Sequence, residues 1–173
     1  MNGQAVVIEQ YAYPAREVWS SNGEVWRFVL VRYLPIFTVL NLLWEVAQLP
    51  LYTLWFEASP AYIAFAVFHC TVGDILIGTG ALLSALIATR ATTLRDWRWT
   101  RIGVASIAFG LAYTALSELT NTSISGGWTY SEWMPVLPFV PIGLSPLLQW
   151  LIVPAATLAL SRQFIFPDLN RKS

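Results

Sequence analysis

Four ionisable side chains lie inside stretches that are otherwise apolar enough to cross a bilayer: Glu45, His69, Asp74 and Glu118. An unpaired charge in hydrocarbon costs at least roughly 2.5 kcal/mol, so such residues normally face a protein interior and mark a functional site. Carboxyl groups in a low-dielectric pocket tend toward the neutral form, and a nearby histidine can hold one as the ion. Such a set supplies a general acid and a general base at the same pH. The sequence therefore predicts acid–base chemistry within membrane spans, with Glu45 and His69 as the central pair.

A polar stripe surrounds Glu45. Asn41, Glu45, Gln48 and Tyr52 are spaced i, i+4, i+7 and i+11, which places them on one face of an α-helix. Pro50 lacks an N–H, so we expect the helix to kink one turn beyond Glu45 and to open space there. The stripe predicts part of a substrate-binding surface. The alternative for its amides is helix–helix adhesion, worth about 0.6 kcal/mol per hydrogen bond.

The second candidate stretch carries His69 and Asp74. Five residues span about 140° around an ideal helix, so the two side chains are expected to bracket a broad interior face. Gly73, Gly78 and Gly80 would let this helix approach the one that carries Glu45. Of the four ionisable residues, Asp74 has the strongest structural alternative, as a hydrogen-bond hub.

The four ionisable residues form a ladder in depth. At about 1.5 Å per residue, Glu118 is shallowest and His69, Glu45 and Asp74 follow at roughly 12, 16 and 20 Å from the outer ends of their helices. No ionisable residue continues the ladder to the other surface. The sequence therefore predicts a pocket that opens outward or sideways to lipid, with Glu118 at its mouth or in the headgroup region. Its further substrate-binding candidates are Trp128, Tyr130, Gln149 and Trp150.

Composition defines the elements that must position these residues. The chain has 173 residues, of which 56% are hydrophobic and 12% charged, whereas charged residues make up about 25% of soluble proteins. A helix needs roughly 20 apolar residues to cross a bilayer, and four stretches qualify, at about 33–56, 61–89, 102–120 and 139–160. We expect an all-α, polytopic membrane protein: one membrane domain over 1–173, built as a four-transmembrane-helix bundle. Residues 1–28 have the mixed aromatic and charged composition of an interfacial segment, and 163–173 form a tail.

The basic residues predict the orientation. All ten Lys and Arg residues precede the first span, lie between the second and third, or follow the fourth. Because cytoplasmic loops are enriched in Lys and Arg, both termini should be cytoplasmic. The protein is expected in the inner (plasma) membrane of a cell.

The loop at 121–137 faces outward in this topology. It has no basic residue but contains Trp128, Tyr130 and Trp133, and it is followed by Pro138 and Pro141. A segment so rich in aromatic residues predicts a structured outer loop, either a lid or a partly re-entrant segment covered by protein. The alternative is an aromatic belt at the membrane interface.

Several kinds of site are excluded or left open. The chain has zero net charge and no basic block, so a nucleic-acid partner is not expected. A single cysteine, Cys70, excludes an intramolecular disulfide and is interpreted as a small core residue. No cofactor is expected. A zinc or iron site built from the four ionisable residues remains an alternative without diagnostic spacing, and a bis-histidine haem is excluded because the chain has one histidine.

The sequence resembles a group of bacterial multi-pass inner-membrane proteins that have no assigned activity. The resemblance covers all four spans and is carried by Trp44–Tyr52, His69–Asp74, Glu118, Trp128–Tyr130, Met134–Pro135 and Gly143–Trp150. The shorter run Glu45–Pro50, followed by His69, is similar to elements of the EXPERA membrane domain of sterol isomerases, although Glu45 and Gln48 are three residues apart rather than four. That similarity implies chemistry on a lipophilic substrate.

Three functions follow from these patterns. The first is a membrane enzyme that protonates, deprotonates or hydrates an isoprenoid, sterol-like or acyl lipid. The second is a small proton-coupled transporter in which Glu45 exchanges a proton for a cationic or polar substrate, with two copies of the chain assembled. The third is a structural membrane subunit. Expected partners are membrane lipids, a lipophilic small molecule and, for an oligomer, a second copy of the chain.

Overall fold

The computed structural model describes residues 18–121 and 128–163. Within these ranges four helices are long and apolar enough to cross a membrane: Gly23–Leu51 (α1), Pro60–Ala88 (α3), Trp99–Leu119 (α4) and Leu144–Gln163 (α5). A one-turn helix, Leu54–Glu57 (α2), follows α1, and short 3₁₀ turns occupy Trp19–Ser21 and Leu94–Asp96. The predicted all-α, four-helix fold is confirmed.

The four long helices form a closed square. α1 packs against α3 and α5, and α4 packs against the same two helices. Helices that follow one another along the chain run antiparallel, as in an up-down bundle. One end of the bundle, which we call the arginine end, consequently carries the described arginines: Arg27, Arg32, Arg90, Arg95, Arg98, Arg101 and Arg162.

α1 begins ten residues earlier than the first predicted span. The side chain of Asn22 accepts hydrogen bonds from the N–H groups of Glu24 and Val25, which caps the helix. Val25 and Phe28 are buried in the core. Residues 23–28, which the prediction assigned to an interfacial segment, thus belong to the first long helix, and their apolar side chains pack into the bundle.

Pro50 ends α1 instead of kinking it. The N–H of Leu49 bonds to the Val46 carbonyl, the chain makes one 3₁₀ turn over Leu49–Leu51, and Tyr52 is extended. The predicted continuation to residue 56 and the predicted kink were both wrong, because the chain leaves the helix to pair with another segment. Tyr52 thus lies beyond the helical stripe that its spacing predicted.

That pairing partner is the segment 128–143, which we call the outer segment. The N–H of Thr53 donates to the Thr129 carbonyl at 3.0 Å, and the N–H of Ser131 donates to the Leu51 carbonyl at 3.0 Å. Two of its own side chains, Met134 and Ile142, are buried. The predicted structured outer loop is confirmed for residues 128–137, and a turn over 138–143 delays the fourth long helix from 139 to 144.

The bundle is tightly packed toward the arginine end. The rings of Tyr33 and Phe37 stack with centroids 5.4 Å apart, and Trp150 lies 6.1 Å beyond Phe37. We call these three side chains the aromatic plug. A Cβ atom at Gly78 would overlap the Phe37 ring, so this glycine provides the predicted close approach of α3 to α1, whereas Gly73 and Gly80 have no atom within 4 Å of that position.

Candidate functional site

A cavity of about 770 Å³ lies in the half of the bundle opposite the arginine end. All four long helices, α2 and the outer segment contribute to its lining. The lining includes the four ionisable residues that the sequence singled out, Glu45, His69, Asp74 and Glu118. Trp150 of the aromatic plug also lines the cavity, and the rest of the plug lies behind it.

The centre of the site is a pair of carboxyl groups held by one amide. Nε2 of Gln149 lies 3.1 Å from Oε1 of Glu45 and 2.9 Å from Oδ2 of Asp74. The two carboxyl groups therefore meet at the same amide nitrogen. Two ionised carboxyl groups side by side repel each other, so a pair of this kind is suited to holding one proton between its members. Three helices therefore build a carboxyl pair at the wall of the cavity.

Gln149 faces more acceptors than it has hydrogens. Its Nε2 is also 3.0 Å from Oδ1 of Asn41, and an amide nitrogen carries only two N–H bonds. Asn41 is fixed in turn by its own N–H donation to the Phe37 carbonyl at 2.8 Å. Three oxygen atoms thus compete for two hydrogens of Gln149, and one of the three, Oε1 of Glu45, has a further donor in Gln48.

A second chain of hydrogen bonds orients Glu45 from the side of α5. Nε2 of Gln48 donates to Oε1 of Glu45 at 2.8 Å, and Oε1 of Gln48 accepts from the Ser145 hydroxyl at 2.9 Å. The Trp44 indole N–H reaches the same hydroxyl at 3.3 Å. Glu45 is therefore held in place before any ligand arrives, as catalytic groups require. The Gln48 amide, predicted from the sequence to bind substrate with helix adhesion as the alternative, thus positions this carboxyl group.

The structure pairs Glu45 with Asp74 and not with His69. Asn41, Glu45 and Gln48 lie on the buried face of α1, as the stripe predicted. On α3 it is Asp74 that faces them. His69 is exposed, and its ring stacks on Phe65 with centroids 5.6 Å apart. No hydrogen bond joins Glu45 to His69 in the part of the chain that the structure describes, so the expected central pair is not formed.

Glu118 lies at the mouth of the cavity, where it lines the cavity wall and is buried. The Tyr130 hydroxyl donates a hydrogen bond to its Oε2 and accepts one from the Gly143 N–H at 2.9 Å. The Trp128 indole N–H is buried beside this carboxyl group without reaching good hydrogen-bond geometry. Burial raises the pKa of the Tyr130 phenol, and the hydrogen bond to Glu118 acts in the same direction. Tyr130 is therefore a persistent donor.

The predicted substrate-binding residues divide into two groups. Those that line the cavity are Gln48, Tyr52, Trp128, Gln149 and Trp150. Asn41 and Tyr130 stand behind it and act through Gln149 and Glu118, respectively. Tyr52 lines it from the extended segment after α1, with its ring 5.7 Å from that of Tyr130.

An exposed aromatic rim was missed by the sequence reasoning. Tyr62, Phe65 and Tyr113 line the cavity although each is more than half exposed. They lie on α3 and α4, so the cavity opens sideways along these two helices. The spacing of Tyr62, Phe65 and His69 along one face of α3 could have revealed this rim. Cys70, expected in the core, is half-buried and lines the same cavity.

Among residues 18–121 and 128–163 no three His, Cys, Asp or Glu side chains are grouped so that they could hold a metal ion. No family model, curated protein or solved structure matches this chain. The cavity and its carboxyl pair are therefore the features of the molecule that bear on its function.

Proposed function

We propose that this protein is an integral membrane protein that binds a lipophilic molecule in the cavity and transfers protons to or from it. The substrate is an isoprenoid, sterol-like or acyl lipid, which the protein protonates, deprotonates or hydrates. One observation carries the proposal: a single Gln149 nitrogen lies within 3.1 Å of both the Glu45 and the Asp74 carboxyl oxygens at the cavity wall.

The cavity suits a small lipophilic ligand. Its volume of about 770 Å³ falls within the roughly 300–1,000 Å³ of small-molecule sites, which combine apolar walls with a few placed polar groups. Aromatic side chains form much of its wall and rim, among them Tyr52, Tyr113 and Trp150. The sideways opening would admit a molecule from the bilayer without passage through water.

The carboxyl pair suits acid–base chemistry. Two carboxyl groups that share one proton hold an acid and a base at the same pH. Glu45 and Asp74 would give and take the proton, while Gln48 and Gln149 act as positioning residues. Glu118 contacts the ligand at the mouth, where Tyr130 holds it.

The packing behind the cavity favours this function over transport. Tyr33 and Phe37 are almost fully buried, and Trp150 is 3% exposed. The aromatic plug therefore separates the carboxyl pair from the arginine end. A transporter that uses Glu45 would need these rings to move apart, whereas a pocket with one entrance works with them in place.

The arginine distribution supports the location of the site. Cytoplasmic loops carry an excess of Lys and Arg. With the arginine end in the cytoplasm of a cell bounded by its inner (plasma) membrane, the cavity occupies the outer leaflet. The expected substrate is then a lipid of that leaflet.

Deuterium incorporation tests the proposal across all lipid classes at once. The purified protein is reconstituted in vesicles of total membrane lipid, incubated in D₂O, and the lipids are analysed by mass spectrometry. Wild-type protein should introduce deuterium at a carbon position of one lipid class, which protein-free vesicles do not show. Glu45→Gln and Asp74→Asn should each slow this by about 100-fold or more.

Glu132→Gln is the matched control, because Glu132 is an exposed carboxyl group of the outer segment. It should retain the wild-type rate. Absence of deuterium above the protein-free level would overturn the acid–base function. Unchanged lipids together with a pH-driven flux that Glu45→Gln abolishes would establish the transporter instead.

A further inference from the structure

The ionisable groups that line the cavity are nearly all acidic. Carboxyl groups come from four places in the fold: Glu45 on α1, Glu57 on α2, Asp74 on α3 and Glu118 on α4. The basic residue in the described lining is His69, which is exposed at the rim. No described Lys or Arg lines the cavity, since the described arginines belong to the opposite half of the bundle.

This charge pattern discriminates between kinds of polar headgroup. A phosphate, sulfate or carboxylate would enter a low-dielectric cavity whose acids repel it, and no guanidinium or ammonium group of the described lining would pair with it there. A cation would meet the opposite situation, since each carboxyl group can neutralise it. The headgroup of the ligand is therefore unlike that of a fatty acid or an isoprenoid phosphate.

Aromatic faces accompany the carboxyl groups. Tyr52, Trp128 and Trp150 line the interior of the cavity, and Tyr62, Phe65 and Tyr113 form its rim. The faces of aromatic rings attract cations, and sites for ammonium ligands use them for this purpose. The carboxyl groups and the aromatic rings of the cavity thus both favour a positively charged ligand, the first by charge neutralisation and the second by cation–π attraction.

We propose that the cavity selects cationic amphiphiles: molecules with an ammonium group that docks at Glu45 and Asp74 and an apolar tail that leaves between α3 and α4 past the aromatic rim. This inference deepens the proposed function by naming the substrate class, and it rests on that proposal for the location of the site. It makes no assumption about which proton is transferred.

Two probes of opposite charge test the inference. The protein is placed in nanodiscs of zwitterionic phosphatidylcholine, and equilibrium dialysis measures the binding of dodecyltrimethylammonium and of dodecyl sulfate below their micellar concentrations, with empty nanodiscs subtracted. The cation should bind saturably, and about tenfold or more tightly than the anion. Equal affinity of the two probes would overturn the inference, as would tighter binding of dodecyl sulfate.

Variants place the cation at the carboxyl pair. Asp74→Asn should weaken binding of dodecyltrimethylammonium by about tenfold, whereas Glu132→Gln should leave it unchanged. Retention of full affinity in both Glu45→Gln and Asp74→Asn would overturn the assignment. If neither variant folds, the binding of dodecyltrimethylammonium to wild-type protein is compared with that of dodecanol, a neutral probe of the same chain length. Failure of the cation to bind more tightly than dodecanol is then the refuting result.

The two proposals fail separately. Deuterium incorporation without preference for the cation would refute the headgroup assignment and leave the acid–base function standing. Selective cation binding without deuterium incorporation would refute the acid–base function and leave the headgroup assignment standing.

Discussion

The hydroxyl of Tyr130 in the outer segment donates a hydrogen bond to the Glu118 carboxyl group on α4, and it accepts one from the Gly143 backbone N–H. The same residue therefore joins the outer segment, the third long helix and the start of the fourth. A Cβ atom at Gly143 would lie 3.1 Å from Cζ of Tyr130 and 3.0 Å from Sδ of Met134, so a side chain there would press against both residues. The mouth of the cavity is fixed by this contact.

Tyr130→Phe should destabilise the protein by about 1–3 kcal/mol, because it leaves the buried Glu118 carboxyl group without this donor. Chemical unfolding in detergent micelles measures the change. Tyr62→Phe is the control, since the Tyr62 hydroxyl makes no hydrogen bond to described residues and the side chain is 56% exposed. Equal stability of the two variants would show that Tyr130 does not hold the mouth.

Gln149→Leu should cost about 1–3 kcal/mol for each buried acceptor that it leaves unsatisfied. The variant removes the shared donor of Glu45 and Asp74 while it keeps an apolar side chain between the helices. A double-mutant cycle with Asp74→Leu measures the coupling energy between Gln149 and Asp74. The coupling should be at least about 0.5 kcal/mol, because replacing one of the two residues makes the replacement of the other less destabilising. Strictly additive effects would mean that the amide does not organise the pair.

Hydropathy was sufficient to predict the four spans, because crossing a bilayer requires long apolar helices. It could not locate the end of α1. The local pattern around Pro50 permits either a kinked helix or a terminated one, and the choice is made by hydrogen bonds from Thr53 and Ser131 across a separation of about eighty residues in the chain. Tyr52 left the predicted helical face for the same reason.

The sequence predicted four ionisable residues that line the cavity, but it did not predict that Glu45 pairs with Asp74. Spacing along α1 correctly placed Asn41, Glu45 and Gln48 on one buried face. Spacing along α3 showed that His69 and Asp74 point in different directions, but a single helix cannot reveal which of them faces its neighbour. The rotation of α3 about its own axis decides this, and it is set by packing between helices, such as the contact of Phe37 with Gly78. The role of Gln149 depends on contacts between three helices, so the sequence of α5 alone could not predict it.

Gly78→Ala should destabilise the bundle by about 1–3 kcal/mol, the usual cost of overpacking a core. The added Cβ atom would overlap the Phe37 ring at the contact between α1 and α3. Gly80→Ala is the matched control, because no atom lies within 4 Å of its Cβ position and alanine is the better helix former. Unfolding of both variants in micelles gives the comparison. A Gly78→Ala protein as stable as Gly80→Ala would contradict a close contact between Gly78 and Phe37.

Cysteine labelling tests which end of the bundle faces the cytoplasm. In a Cys70→Ala background, a cysteine is placed at Glu132 in the outer segment or at Arg95 between α3 and α4, where both side chains are exposed. A membrane-impermeant maleimide applied to intact cells should label Glu132→Cys at once, and Arg95→Cys only after permeabilisation. The reason is that basic loops are retained in the cytoplasm. The reverse order of labelling would place the carboxyl pair in the inner leaflet, so that substrates would have to enter the cavity from the cytoplasmic side.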